Sequence, residues 1–521
     1  MANYFVDSNA TYEANHANNG TAKETPWGGV GGLQRALGLV AAGENIYGKS
    51  GTTIDESKLI KVVCTGTLAG AIAVDDFVYC FEWSTTPTGE EGSKGQGYVV
   101  YVTGKTYYIH VTSGTWVTGA AHCITKENAP TYTNYIEAIT VSKPGLLPVT
   151  AGTDCATKVF IIGCANDTNW TEDGTQLVLD GMGASGAATV IQALLSWYEI
   201  RNVRGTRATG NAFTGLLTSL FINCRADGST GGHGFIGPGI YYRCMGDGNN
   251  KSGFGGGSQG CHLIACNGSE NTESGVTGLT YSSSVIDGVF HGNGRYGINI
   301  SSSLTYGCEI TGNVIDGNTR DGISVAADSV VSVFGNRITN NSVGSATYYG
   351  INAATSSNVF EDWNVFYNNA NNATPGTQHR NNVRVGANSL VAANTTEEGY
   401  TNYGAHNFKL TTVAILRTTA LTLPDDVNIA YITAGLPLGG FAGVYPLAAD
   451  VNKSDTAYGP TGAEYAGDYY PPNLNSAPGV EDADAVITTA HYGAANATQG
   501  TGTGGIGGLL MGVGMNGGMD G

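Results

Sequence analysis

The sequence predicts an all-β chain whose central part is a parallel β-helix solenoid. Three observations predict it: a skeleton that recurs every 20 to 28 residues, a composition rich in glycine and poor in charge, and asparagines at fixed places within each repeat. "ITGNVIDGNTRDGISV", from Ile310 to Val325, and "VIDGVFHGNGRYGINI", from Val285 to Ile300, show the skeleton. It is too broken by Gly and Asn for an amphipathic helix and too interrupted for one long strand.

Equivalent apolar starts fall at Ile200, Phe221, Tyr241, Leu263, Val285, Ile310 and Val333, with Glu361 in the last coil. Three places later the column reads Val203, Cys224, Cys244, Cys266, Gly288, Asn313, Asn336, Asn364. Eight places after the start come Ala208 and Ser229, then Asn249, Asn271, Asn293, Asn318, Asn341 and Asn369. Four residues further stands Gly before an apolar residue, as in Gly253-Phe254, Gly275-Val276, Gly297-Ile298 and Gly322-Ile323. The pair comes late at Gly350-Ile351, so extra residues bulge from a loop there. One such turn cannot close a core, whereas stacked turns can. An Asn at a bend tolerates left-handed backbone and can bond the Asn of the next coil, so this column is expected to be a structural ladder. The three cysteines, one coil apart, read as a reduced inward stack, since a metal site there would lack a fourth ligand.

Composition agrees. Gly makes up 79 of 521 residues, about twice the usual share, and charged residues only 13%. Stacked coils place identical side chains next to each other, where like charges would repel. The net charge of −18 and only 24 Lys plus Arg argue against nucleic acid as a partner. No apolar run reaches the length of a membrane span, and "MANYFVDSNATYEANH" has no secretory signal pattern. The ten cysteines show no CxxC spacing, so no metal and no cofactor is expected.

The repeat resembles the right-handed, pectate-lyase-like β-helix superfamily over 157 to about 394. The resemblance implies a right-handed solenoid with carboxylate or basic chemistry on its outer face, and a helix closing its open end. The opening residues 1–60 fit that cap, with Leu33, Ala36, Leu37 and Val40 on one helical face. Residues 61–150 break the pattern: "YVVYV", "TYYIHV" and "TWV" alternate between "TGK" and "TSG" turns and predict a small inserted antiparallel β domain. The β-helix takes 151–394, a C-terminal cap 395–440, and an extension 441–521. The extension holds two Tyr-Gly modules that look like those ending bacteriophage structural proteins, and a Gly-rich tail whose Leu509, Leu510, Met511 and Met515 could attach to a partner.

For chemistry, the sixth and tenth repeat places put His291, Arg295, Asp316, Arg320 and Asp321 in one expected patch across two coils. The functional reading is a sugar-binding or sugar-cleaving site; the bland one is a solvated turn with weak ion pairs. The 28 tyrosines suit a half-buried sheet as well as sugar stacking, and "EDADA" at 481–485 lacks a Ca²⁺-loop spacing. Two functions follow as expectations. The first is a structural virion protein of a bacteriophage (fibre, spike or capsid decoration), a rigid homotrimer contacting other virion proteins and host polysaccharide, made in the host cytoplasm without a signal peptide and without membrane insertion. The second is an enzyme, a polysaccharide lyase or glycoside hydrolase working on the outer face.

Overall fold

The computed structural model describes residues 2–410 apart from 66–71, 83–94, 127–135, 155–156, 182–188, 193–194, 217, 257–259, 281–282, 302–306, 344–346, 363, 370–377, 381–382, 386–388, 392–399 and 403–406. The Tyr-Gly modules, the Gly-rich tail and most of the expected C-terminal cap therefore lie outside the described residues.

The solenoid consists of three parallel sheets of 13, 11 and 9 strands, here the first, second and third sheets. Each coil supplies one short strand to each in turn. Cys308–Thr311 lies in the first sheet, Val314–Asp316 in the second and Ile323–Val325 in the third. The repeat register holds residue by residue: Val285 pairs with Ile310, and Ile310 with Val333. The Gly-apolar column forms the third sheet, with Phe254, Val276, Ile298, Ile323 and Ile351 in line.

Two sharp corners shape each coil. Between the first and second sheets the backbone turns left-handed at Asn202, Asn223, Arg243, Ala265 and Asp287, and then at Gly312 and Gly335. After the second sheet it does so again at Arg207, Gly228, Gly248, Glu270, Gly292, Gly317, Asn340 and Asn368. Each corner swings the next residue inward, and side-chain hydrogen bonds run along both inward columns. After the second corner, Asn249, Asn271, Asn293, Asn318, Asn341 and Asn369 form an unbroken chain. Each of the first five donates its backbone N–H and its amide to the side-chain oxygen of the next, at 2.8–3.2 Å. After the first corner Asn313, Asn336 and Asn364 form a second ladder, at 2.8–2.9 Å.

In earlier coils Cys224, Cys244 and Cys266 occupy that second column. Asn313 donates to the carbonyls of Val285 and Thr311; Cys266 donates its thiol to Tyr241 and Ile264, the matching carbonyls one coil below and in its own coil. The thiol satisfies the same acceptors with one weak donor. Cys64, Cys80, Cys164, Cys224, Cys244, Cys261, Cys266 and Cys308 are all free and buried.

The bore is dry. Phe213, Phe235 and Phe254 stack with ring centroids 5.0 Å apart, and Phe221 stacks on Tyr241 at 5.1 Å. Aliphatic side chains follow them up the coils. This changes at the strand Asn358–Asp362, where buried Glu361 stands in line with Val333 below it and Val385 above it. Its carboxylate accepts from Asn364 and Ser389 at 2.7 and 2.6 Å, and burial raises its pKa.

At the other end the helix Gly29–Leu39 buries Val30, Leu33, Ala36 and Leu37 in the main core. Gly31 and Gly32 are needed for close approach: a Cβ there would sit 2.7 Å from Tyr12 and 2.6 Å from Trp27. The inserted segment is antiparallel, and its strands Leu59–Cys64, Phe77–Glu82, Gly95–Thr103, Thr106–Gly114, Gly119–Thr125 and Ile136–Ser142 close into a barrel. Closure leaves no edge strand to aggregate. Alternation splits the barrel's side chains between two cores. Ile60, Val99 and Tyr107 fill the barrel, while Leu59, Val100 and Tyr108 join the solenoid core beside the helix. Barrel, helix and solenoid thus share continuous apolar packing.

The ladders make a stability prediction. Asn318→Ala strands the Phe290 carbonyl and the Asn293 amide, both bonded to Asn318. Each buried polar group left unpaired costs about 1–3 kcal/mol. We expect a loss of roughly 2–6 kcal/mol in chemical denaturation, against less than about 0.5 kcal/mol for an exposed control such as Thr319→Ala.

Candidate functional site

The outward face of the second sheet concentrates the chemistry. Its register sets one column of Asp55, Asp180, Thr206, Asp227, Asp247 and Ser269, continued by His291, Asp316, Thr339 and Tyr367. Beside it runs a column of Arg204, Arg225, Met245, Asn267, Val289, Val314, Arg337 and Val365.

The N-terminal half is charged and open. Carboxylates on adjacent coils stand about 4.8 Å apart at the backbone, so they need cations between them. Arg204 grips Asp227 with both arms, Nε at 2.8 Å and Nη2 at 2.7 Å. Arg225 spans two coils, with Nε 3.4 Å from Asp227 and Nη2 4.0 Å from Asp247. Arg207 grips Asp180 through Nε at 3.0 Å and through Nη2. The side chains of Asp227 and Asp247 are 17% and 13% exposed, and that of Arg207 is 58% exposed, so solvent and solutes reach the row. Its hydrogen bonds to Asp227 raise the pKa of Arg204.

Glu56 closes the end of this row. It lies in the short turn Glu56–Lys58 that leads into the barrel and is 2% exposed. Neither carboxylate oxygen has a hydrogen-bond partner among the described residues. Burial, then the neighbouring Asp180 and Asp55, push its pKa well above the ordinary range. Glu56 therefore keeps its proton where an exposed glutamate would have lost it.

The five residues predicted as one patch fall into three environments instead. His291 and Asp316 are in register, with Nδ1 3.7 Å from Oδ2, but both are buried. Asp316 Oδ1 accepts from Thr339 at 2.6 Å and from Asn340 at 3.0 Å. Asp321 is also buried, accepting from the Tyr349 amide at 2.5 Å and from Asn352 at 3.1 Å. These two carboxylates serve as acceptors for the protein's own donors. Arg295 and Arg320 do come together, in equivalent loops of adjacent coils, where the Arg320 amide donates to the Arg295 carbonyl at 2.7 Å. Arg295 pairs with Glu273 at 3.5 Å, and Arg320 lies 5.6 Å from the ring centroids of both Tyr296 and Tyr348. The expectation failed to foresee how far outward side chains on neighbouring coils bury one another. It also missed the open half of its own column. The sixth place, counted from Phe221, is Asp227, and the fourth place from Ile200 and Phe221 gives Arg204 and Arg225. Asp180, Asp55 and Glu56 could not be found that way, because the inserted barrel interrupts the repeat between them. Among the described residues, no group of three or more His, Cys, Asp or Glu is placed to hold a metal ion.

Comparison with known proteins places these features in context. The family described as "Periplasmic copper-binding protein (NosD)" matches residues 198–411. Among solved structures, pectate lyase Pel9A aligns with a TM-score of 0.42 and 14% identity, covering 88% of this chain and 94% of that one. The Azotobacter vinelandii mannuronan C-5 epimerase AlgE6 A-module aligns at 0.27 and 17% identity, covering 48% and 77%. The polysaccharide lyase Pedsa3628 of family PL6 from Pseudopedobacter saltans aligns at 0.26 and 8%, covering 70% and 92%. No curated protein matches the chain. The suggested likeness to bacteriophage proteins finds no support in these matches, and the TM-scores leave the function to be argued from the residues.

The buried acid predicts a pH effect. Glu56 has a folded pKa raised above its unfolded value, so its contribution is favourable below the unfolded pKa and is lost as pH rises toward the folded one. Glu56→Gln removes that loss. Thermal unfolding is expected to show the variant gaining on the wild type between pH 4 and pH 8; a constant offset would contradict a buried neutral carboxyl.

Proposed function

We propose that the protein acts on a polysaccharide along the outer face of the second sheet, cleaving glycosidic bonds at the Asp227–Asp247 pair. The observation that carries this reading is the pair itself: two part-exposed carboxylates on adjacent coils, spanned by Arg225. A backbone step of about 4.8 Å is close to the 5–5.5 Å between the two carboxyl groups of a retaining glycosidase. Asp227, clamped by Arg204, would act as the carboxylate that attacks or stabilises the sugar ring. Asp247, 4.0 Å from Arg225 Nη2, would pass the proton to and from the leaving oxygen. The row of carboxylate and guanidinium groups extends over several coils, so it offers hydrogen bonds to successive units of an extended chain. The names of the structurally similar proteins, a pectate lyase and a polysaccharide lyase among them, belong to the same substrate class. Copper, which the matching family's description names, has no fitting donor set among the described residues.

A second reading is that the rod itself is the function, as in a virion fibre, spike or decoration. Its support is the pair of asparagine ladders, which tie consecutive coils together. The residues proposed for attachment, Leu509, Leu510, Met511 and Met515, lie outside the described residues. Trimer formation and assembly into a particle belong with this reading.

One experiment separates the two. The purified protein is incubated with a panel of neutral and acidic polysaccharides, and reducing ends are measured. Cleavage is expected with at least one substrate, and Asp227→Asn and Asp247→Asn should each lower it by about 10²-fold or more. Unsaturated sugar ends would assign the cleavage to elimination instead of hydrolysis. A wild-type protein inert on the whole panel, or variants as active as wild type, would overturn the enzymatic reading.

A further inference from the structure

The outward face of the first sheet carries a separate arrangement. Its register places Ile240, His262, Ser284, Glu309 and Ser332 in one column on successive coils. His262 Nδ1 lies 2.9 Å from Ser284 Oγ, within the range of a nucleophile and its base. Glu309 stands on the other side of Ser284 and accepts from Thr311 Oγ1 at 3.1 Å through one oxygen, Oε1. The next outward column, two residues along the same strands, is apolar at Ile264 and Ile286. Ser284 is 8% exposed, while His262 and Glu309 are half-buried and reach further into solvent.

We propose that Ser284 is a nucleophile for acyl transfer, with His262 as its general base and Glu309 as the proton donor to the carbonyl oxygen, acting on esters of small acyl groups. The chemistry balances with water as the only co-reactant. Ser284 Oγ attacks the ester carbonyl carbon as its proton passes to His262 Nδ1, and the carbonyl oxygen, now carrying the electron pair, accepts a hydrogen bond from the Glu309 carboxyl. The tetrahedral species collapses, the carbon–oxygen bond to the alcohol breaks, and the alcohol leaves with the proton from His262. Water then attacks the acyl-serine in the same way and releases the carboxylic acid. Ile264 and Ile286 offer apolar surface for a short acyl chain.

Burial pushes His262 down to about 4, so its ring is neutral at neutral pH, with the lone pair free, but is a weaker base than a solvated imidazole. Burial also raises Glu309, which favours the protonated carboxyl. Ester groups on polysaccharides fall within the substrate class, but the arrangement stands independently of the second-sheet site.

The test uses the full-length chain, a fluorophosphonate probe and p-nitrophenyl acetate. A single probe adduct mapping to Ser284 by peptide mass spectrometry is expected. Ser284→Ala should remove the adduct and lower p-nitrophenol release by about 10²-fold or more, and His262→Gln should lower the rate while Ser284 is still present. Circular dichroism checks that each variant is folded, and if Ser284→Ala does not fold, labelling of the wild type decides alone. Absence of an adduct on Ser284 in the wild-type protein, or a folded Ser284→Ala variant that hydrolyses the ester at the wild-type rate, overturns the proposal. Polysaccharide cleavage at Asp227 and Asp247 is measured in parallel, so the failure of either site is read separately.

Discussion

The fold depends on how the inward-facing backbone groups at two left-handed corners in every coil find hydrogen-bond partners inside an apolar bore. Each corner turns the chain sharply and leaves amides and carbonyls that face inward, away from water. Unpaired, each would cost about 1–3 kcal/mol, and the cost would recur with every coil. The asparagine side chain answers this locally: its amide donates to a carbonyl one coil below and to the asparagine oxygen one coil above, and its own oxygen accepts from the asparagine one coil below. Asn318, for example, donates to the Phe290 carbonyl and receives both the amide and the side chain of Asn293. The other ladder, that of Asn313, Asn336 and Asn364, is continued by cysteine in the earlier coils because the thiol can still reach two carbonyls. Register is therefore set by hydrogen bonds as well as by the apolar bore, and a slip of one residue would break every rung at once.

Fixed register has a consequence outside the bore. Outward side chains form columns with a pitch of about 4.8 Å, so each neighbours its counterpart on the next coil. Where the column is charged, the structure needs counter-charges, which Arg204, Arg207 and Arg225 supply to Asp227, Asp180 and Asp247. Where the column is short and polar, neighbours bury one another and satisfy each other, as Thr339 and Asn340 do for Asp316. The first case leaves charge exposed to solutes and the second leaves none. Chemistry is thus confined to the stretch where long cations hold carboxylates at the surface. The solenoid acts as a ruler that spaces functional groups, and the barrel and helix seal its N-terminal end, burying Glu56 next to the row.

Much of the fold was legible because stacking turns three-dimensional neighbours into a sequence period. The Asn, Cys and Gly-apolar columns read from spacing are the ladders and the third sheet. The inserted domain was legible as alternating strands between turns, but its closure into a barrel was not, since closure depends on pairing between Ile136–Ser142 and Leu59–Cys64, far earlier in the chain. The site was only partly legible. Counting by period puts His291 and Asp316 together correctly, yet the period does not say which outward positions stay open to solvent. It also fails across the insertion, where Asp55 and Asp180 pair over more than a hundred intervening residues. The coil where Glu361 enters the bore carried a signal in the same column as the earlier apolar starts.

The central claim is that the asparagine ladders hold the coils in register. Native-state hydrogen exchange tests it directly, because the backbone amides of Asn271, Asn293, Asn318 and Asn341 each donate to the side-chain oxygen of the next rung. If the ladders bear the register, these four amides exchange as slowly as the amides of the flanking strands and only through global unfolding, with a free energy equal to that from denaturant titration. Exchange at these corners much faster than in the strands, through local opening that leaves the strands protected, would show that the apolar bore alone holds the coils together and would contradict the account.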